Sequence, residues 1–170
     1  MQIKFLLILL IVFQFSSCQS NKKKETKVID KNGYTLAYTS DLRLDESGQG
    51  SEFLLFTKKS NSTDNFIENI NLIIQNLETL NIDLNKFVEI TENQIKGNGN
   101  LISSERIKNN NSEFQKQIYS AHLNNFDLKF IQYDFVKNNK AYILTFTAKE
   151  NEFDKYATEM ENIMKTFKIK

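Results

Sequence analysis

The sequence predicts an α+β domain, an antiparallel β-sheet flanked by helices with an amphipathic C-terminal helix packed on the sheet. Three observations predict it. Four strand-like runs over residues 101–108, 114–123, 126–136 and 141–148 are separated by Asn109-Asn110-Asn111, Asn124-Asn125 and Asn138-Asn139, the pattern of an antiparallel meander with tight turns. Ahead of them the period changes, because Leu84, Phe87, Val88 and Ile95 fall at helical spacing. At the end of the chain Phe153, Tyr156, Ala157, Met160, Ile163, Met164 and Phe167 form one apolar stripe at i, i+3, i+4, i+7, i+10, i+11 and i+14, which is the signature of a helix covering a core.

Each element follows from local chemistry. There is no proline and there are only five glycines, so the turns rely on asparagine, which tolerates the left-handed backbone. Asn32-Gly33 splits 28–30 from 34–38 as a hairpin whose two central residues are expected at positive φ. Gly48 and Gly50 separate 42–46 from 53–57, 61–65 is polar loop, and 66–77 alternates with Ile70, Leu72 and Ile74 on one side. Asp83 is the expected N-cap of the first helix and Gly97 its C′ residue. Tyr142, Leu144, Phe146 and Ala148 share one face and Thr145 and Thr147 the other, so that strand has one well-covered side. Within 126–136 the apolar parity switches between Phe130 and Ile131, which calls for a β-bulge or for burial on both faces. Asn151 is the expected cap of the last helix. Asp154 sits in its first turn, and Lys165, Lys168 and Lys170 favour its negative end.

The N-terminal residues read differently. Lys4 precedes an apolar run over 5–15, interrupted by Gln14, and Phe15-Ser16-Ser17 leads into Cys18, the only cysteine. A charged start, a short apolar stretch and small residues at a cleavage point are the layout of a secretory signal. The run is too short for a hydrocarbon core that takes about twenty residues to cross. The small-small-Cys ending resembles the lipobox of bacterial lipoproteins, which implies that the Cys18 sulfur receives a diacylglyceryl group and that Cys18 becomes the mature N-terminus. With no second cysteine there is no disulfide for an oxidising compartment to form, and lipidation accounts for the lone thiol. The organisation is therefore 1–17 signal peptide, 18–27 lipidated N-terminus and tether, and 28–170 a single domain. The tether carries no large apolar side chain, and Lys22-Lys23-Lys24 can rest on anionic headgroups or act as a solvated spacer. Gln19 after the cysteine resembles the sorting signal for the outer membrane, and the basic rather than acidic tract favours its periplasmic face.

Charge excludes several functions. There are 22 Lys+Arg against 21 Asp+Glu, so no basic excess points to nucleic acid and no acidic excess to a calcium sink. His122 is the sole histidine, it lies in a strand-like run, and no nucleophile-elbow sequence accompanies it. One histidine and no free cysteine disfavour zinc, and no glycine-rich phosphate loop is present. Asp41, Asp45 and Glu46 are the nearest carboxylate group and read as a solvated strand end. Tyr34, Tyr38, Tyr119 and Tyr133 can line a ligand or partner surface, or pack in the core with the hydroxyl at its rim.

The order of strands, helix, four-strand meander and closing helix is similar to the PsbP-like fold. The likeness is carried by Asn69-Ile70-Asn71-Leu72, by the helix with Gln94 near its end, by Ala141-Tyr142-Ile143-Leu144-Thr145-Phe146-Thr147-Ala148, and by Phe153, Tyr156 and Ile163 to Phe167. These are structural residues. The resemblance therefore implies a fold, an envelope setting and an accessory or scaffolding role, and it transfers no catalytic, cofactor or metal residue. The expected function is that of a lipid-anchored envelope accessory or binding protein, with the membrane and an envelope protein as partners. The alternative is a small envelope hydrolase whose carboxylates converge in a cleft.

Overall fold

The computed structural model describes residues 24–48, 50–108 and 112–170. Cys18, the tether up to Lys23 and the turn Asn109-Asn110-Asn111 lie outside the described residues. Among the described residues, two antiparallel sheets and two helices build the domain. Strands β1 (Thr26–Lys31) and β2 (Tyr34–Thr39) pair as a hairpin. Strands β3 (Arg43–Asp45), β4 (Phe53–Phe56) and β5 (Asn69–Asn76) lead to helix α1 (Leu84–Asn98). The meander follows as β6 (Asn100–Lys108), β7 (Glu113–Leu123), β8 (Phe126–Lys137) and β9 (Lys140–Lys149), then helix α2 (Phe153–Met164) and a short β10 (Lys168–Ile169). The larger sheet has the order β3-β4-β5-β9-β8-β7-β6, and the smaller one β1-β2-β10.

The predicted α+β architecture stands, with α2 packed on the sheet. Two of the meander turns are asparagine pairs. Asn124 and Asn125 have φ of 51° and 66°, and Asn138 and Asn139 have φ of 52° and 56°, which is the type I′ turn that matches strand twist. The first hairpin departs from expectation, because Gly33 takes φ of 122° while Asn32 is absent from the positive-φ residues. One left-handed residue suffices to join Lys31 to Tyr34, and glycine takes it without a Cβ penalty. The hairpin also opens at Thr26, two residues inside the stretch read as tether. Only Ile29 of β1 is buried, so the strand is held by its backbone ladder and gives no apolar signal.

Helix α1 starts as read, with the Asp83 carboxylate accepting from the Lys86 amide at 2.8 Å. It runs through Gly97 and stops at Gly99 instead. Gly99 is extended, and a Cβ there would collide with the Ser120 carbonyl oxygen of β7. A bulge at Ile102 follows, where the register steps from Leu101–Tyr119 to Ser103–Ile118. In β8, by contrast, the pairing with β9 is unbroken from Leu128 to Lys137. Its parity switch is burial on both faces, since α1 covers one side of the sheet and α2 the other.

The C-terminal segment holds the second correction. Helix α2 is capped by Glu152 rather than Asn151, with no side-chain cap bond, and it ends at Met164. Phe167 is therefore off the helix. Its ring lies 5.8 Å from Tyr34, 5.3 Å from Phe135 and 6.2 Å from Tyr142, which ties both sheets to one aromatic plug. The chain then joins β2, pairing Lys168 with Thr35 and Ile169 with Tyr34, so Lys168 and Lys170 do not serve the helix end. The hydroxyl of Thr166 accepts from the Ala37 amide at 2.9 Å and fastens this turn to β2. Phe153, Met160, Ile163 and Met164 of α2 are buried in the same core as Phe53, Leu72 and Phe146, each such side chain contributing about 1.5–3 kcal/mol by burial.

The two glycines near the end of α1 give opposite expectations. Gly99→Ala should destabilise the domain by about 1–3 kcal/mol, because backbone and not a side-chain tip must move. Gly97→Ala, with nothing within 4 Å of its added Cβ, should be neutral or stabilising by up to about 1 kcal/mol. Urea unfolding of both variants checks the pair.

Candidate functional site

A groove of about 400 Å³ lies between the C-terminal half of α2 and the ends of β6–β8. Strand alternation brings Phe114, Tyr133 and Phe135 to its floor, with ring centroids 4.6 Å apart for Phe114–Tyr133 and 4.8 Å for Phe114–Phe135. Lys116 and Glu161 form its polar edge, their ion pair closing at 2.6 Å. The Tyr133 hydroxyl donates to the same Glu161 oxygen at 2.8 Å. Burial works to raise the Glu161 carboxyl, and the Lys116 ammonium and Tyr133 hydroxyl outweigh it, holding the group below its ordinary value. Burial and the Glu161 bond push the Tyr133 hydroxyl upward. An ionised, paired carboxylate beside a hard-to-ionise phenol is a poor acid–base set, while an apolar floor with a charged edge suits a ligand or partner with an apolar body and a polar end.

On the opposite face of the sheet, beneath α1, lies a buried polar network. Asp134 is fully buried. Gln132 donates to one of its oxygens at 2.8 Å and Thr91 of α1 to the other at 3.3 Å. Gln117 donates to the Thr91 hydroxyl at 3.2 Å, and Tyr119 donates to Gln132 at 3.0 Å. Arg106, a basic side chain on this side, is engaged by Gln115 at 2.9 Å, Asn85 at 2.8 Å and Glu113 at 3.2 Å. Burial dominates, against the bonds from Gln132 and Thr91, and pushes Asp134 up to about 7.

A third cluster gathers carboxylates between the β4–β5 connection and the start of α2. Lys149 lies 3.0 Å from Asp64 and 3.7 Å from Glu152. The buried Glu68 accepts from the Thr57 hydroxyl at 3.3 Å. Burial raises Glu68, and the charges of Glu152 and Asp64 add to that, whereas the Ser60 amide and Lys149 hold Asp64 well below the carboxylate range. The arrangement is an ion-pair clamp with a cation at its centre.

The residues singled out from sequence are scattered. Asp41 pairs with Lys24 at 2.7 Å, Asp45 with Arg43 at 3.5 Å and Glu46 with Lys31 at 2.7 Å, so the three acids serve separate cations. His122 is exposed and contacts Asp127 across the β7–β8 turn at 2.8 Å. Tyr34 and Tyr38 are buried in the core and Tyr119 stacks on Phe130 at 4.5 Å, while Tyr133 is both buried in the core and part of the groove floor. Cys18 lies outside the described residues. Among those described, no group of three His, Cys, Asp or Glu can hold a metal ion. Sequence reading missed Asp134 and Glu68. The one available signal for Asp134 was the doubly buried strand around it, where any polar residue had to be paired.

No family model and no curated relative matches the sequence. Solved structures do, and they define a PsbP-like fold. The solution structure of cyanobacterial PsbP (CyanoP) from Synechocystis sp. PCC 6803 is similar at a TM-score of 0.60 and 13% identity, over 92% of this chain and 99% of that one. LpqN of Mycobacterium tuberculosis, a protein involved in cell envelope biogenesis, is similar at a TM-score of 0.58 and 12% identity, over 85% of this chain and 90% of that one. A Pseudomonas aeruginosa protein of unknown function follows at a TM-score of 0.56 and 11% identity, over 83% and 94%.

The buried Asp134 gives a pH signature. Its folded value of about 7 lies above the unfolded 3.8, so the native state holds a proton that the unfolded state releases. Stability from this group is full below about pH 4, falls as pH rises towards 7 and is level above, with a slope of at most about 1.4 kcal/mol per pH unit. Asp134→Asn should remove that slope. Unfolding free energies of the two proteins, measured from pH 4 to 8, should diverge in favour of the variant as pH rises.

Proposed function

We propose that this protein is a lipid-anchored accessory or binding protein of the bacterial cell envelope, joined to the outer membrane through Cys18 and facing the periplasm, which assists an envelope complex without catalysing a reaction. The observation that carries the reading is the order Lys4, apolar run, Ser16-Ser17-Cys18 ahead of a neutral, disulfide-free domain. Two findings support it. The fold is shared with LpqN, which works in envelope biogenesis. Among the described residues, no helix is long and apolar enough to cross a membrane, and attachment through an N-terminal lipid needs none. The partner is an envelope protein, and the groove edged by Lys116 and Glu161 is the surface offered to it.

A hydrolase would need its acid and base free to move protons. Asp64, Glu68 and Glu152 do converge, but Lys149 sits among them as counter-ion. That favours binding over hydrolysis.

Processing tests the reading directly. In a bacterial host, Cys18→Ser should leave the precursor at full length, without the mass of a diacylglyceryl group, and the mature membrane-bound form should disappear on fractionation. A variant that matures and stays with the membrane as before would end the lipoprotein reading. Crosslinked pull-down from envelope membranes, with Lys116→Glu as the control that reverses the groove edge, should then recover a partner that the variant loses.

A further inference from the structure

The root of the tether is built into the domain, and this sets which face meets the lipid. Thr26 pairs with Thr39 at the start of β1, and the Glu25 carbonyl accepts from the Ser40 amide at 2.8 Å. One residue earlier, the Lys24 ammonium bridges Asp41 at 2.7 Å and Glu159 of α2 at 2.5 Å. These carboxylates hold Lys24 protonated, their hydrogen bonds raising it above the ordinary lysine value. The third lysine of the tract is thus spent on the domain, and its charge is unavailable to headgroups. A backbone bond, a strand ladder and a two-carboxylate clamp all place the exit of the tether beside α2.

The reach of the remaining chain is short. From Cys18 to Lys24 there are six peptide units, which extend to at most about 20 Å. Next to Lys24 is an open hollow of about 510 Å³ between α2 and the β1–β2 hairpin, walled by Thr39, Thr158, Glu159, Asn162 and Thr166. Its accessible lining is mainly apolar, with Ala37, Tyr38 and Ile163 among the hydroxyl and amide groups around it. Its charged groups are paired, Lys24 with Asp41 and Glu159 and Lys155 with Glu152. Helix α1 is on the opposite face of the large sheet, as neighbouring residues show: Tyr133 reaches Glu161 of α2, and Asp134 reaches Thr91 of α1. With helices about 10 Å across, α1 stands a full layer farther from the tether root.

Resting on the lipoprotein reading above, we propose that the lipidated N-terminus holds the domain with the hollow between α2 and β1–β2 against the bilayer surface and α1 turned away from it. The partner of this face is the lipid headgroup layer. The surfaces left for proteins are the α1 side and the groove edged by Lys116 and Glu161, which opens on a different flank of α2 from the hollow.

The chain has no tryptophan, which makes the test clean. Full-length lipidated protein carrying either Thr158→Trp, on exposed α2 surface, or Glu89→Trp, on exposed α1 surface, is placed on vesicles of phosphatidylethanolamine and phosphatidylglycerol containing dansyl-headgroup lipid. Energy transfer should be several-fold greater from position 158 than from position 89. Inserting about twenty Gly/Ser residues between Asn21 and Lys22 lets the tether behave as a flexible coil, and the difference should collapse. Equal transfer from the two sites in the unextended chain, or a difference that survives the insertion unchanged, would overturn the orientation while leaving the anchor intact. A protein without the lipid mass that does not bind the vesicles would overturn both the orientation and the anchor.

Discussion

Everything in this domain answers to the burial of β8 on both faces. Strand β8 sits between β7 and β9 with α2 on one side and α1 on the other, so none of its central residues is offered water. Towards α2 it presents Ile131, Tyr133 and Phe135, which belong to the main core. Towards α1 it presents Phe130, Gln132 and Asp134. Polar groups so placed cost free energy unless they are bonded. The structure meets that cost by giving Gln132 and Asp134 partners from β7 and from α1. The first helix therefore docks through Thr91 as well as through Phe87 and Val88, and its seating is directional in a way that apolar contact alone would not make it.

Much of this was legible in the sequence, for physical reasons that differ from element to element. The meander could be read because asparagine pairs mark left-handed turns between runs long enough to show their period. Helix α2 could be read because a stripe of large apolar side chains has one economical fate. Its end could not. Phe167 stands at helical spacing from Met160 and Ile163 and yet belongs to a turn, since the deciding contact, Lys168 with Thr35, is made with a strand at the other end of the chain. Gly97, the expected stop, is passed over for Gly99, where the Ser120 carbonyl of β7 comes too close for a Cβ, a tertiary fact. Strand β1 opened earlier than expected because an edge strand with one buried side chain leaves almost no hydrophobic trace. The buried acids were hidden for a related reason, as a carboxylate in a strand looks solvated until both faces of that strand are known to be covered.

The charged groups have a common character. Lys116 with Glu161, Lys149 with Asp64 and Lys24 with Asp41 and Glu159 each join elements remote in sequence. Partly exposed pairs of this kind add little to stability individually. Their effect is geometric, for each fixes α2 or its flanks relative to a strand. Residues used in that way are already paired and ionised, which suits a scaffold that presents surfaces more than one that moves protons.

The pairing of β10 with β2 bears on when this molecule becomes itself. The hairpin of β1 and β2 is local in sequence, but its third strand and the Phe167 plug are contributed by residues 167–169. Until the chain has emerged through Ile169 the small sheet lacks its last strand, and Tyr34 and Phe135 lack the ring that lies between them. Contacts spanning nearly the whole domain are slow to form because so much chain must be ordered first. Whatever the order in which the other elements form, the small sheet and the aromatic plug are completed only when residues 167–169 are in place.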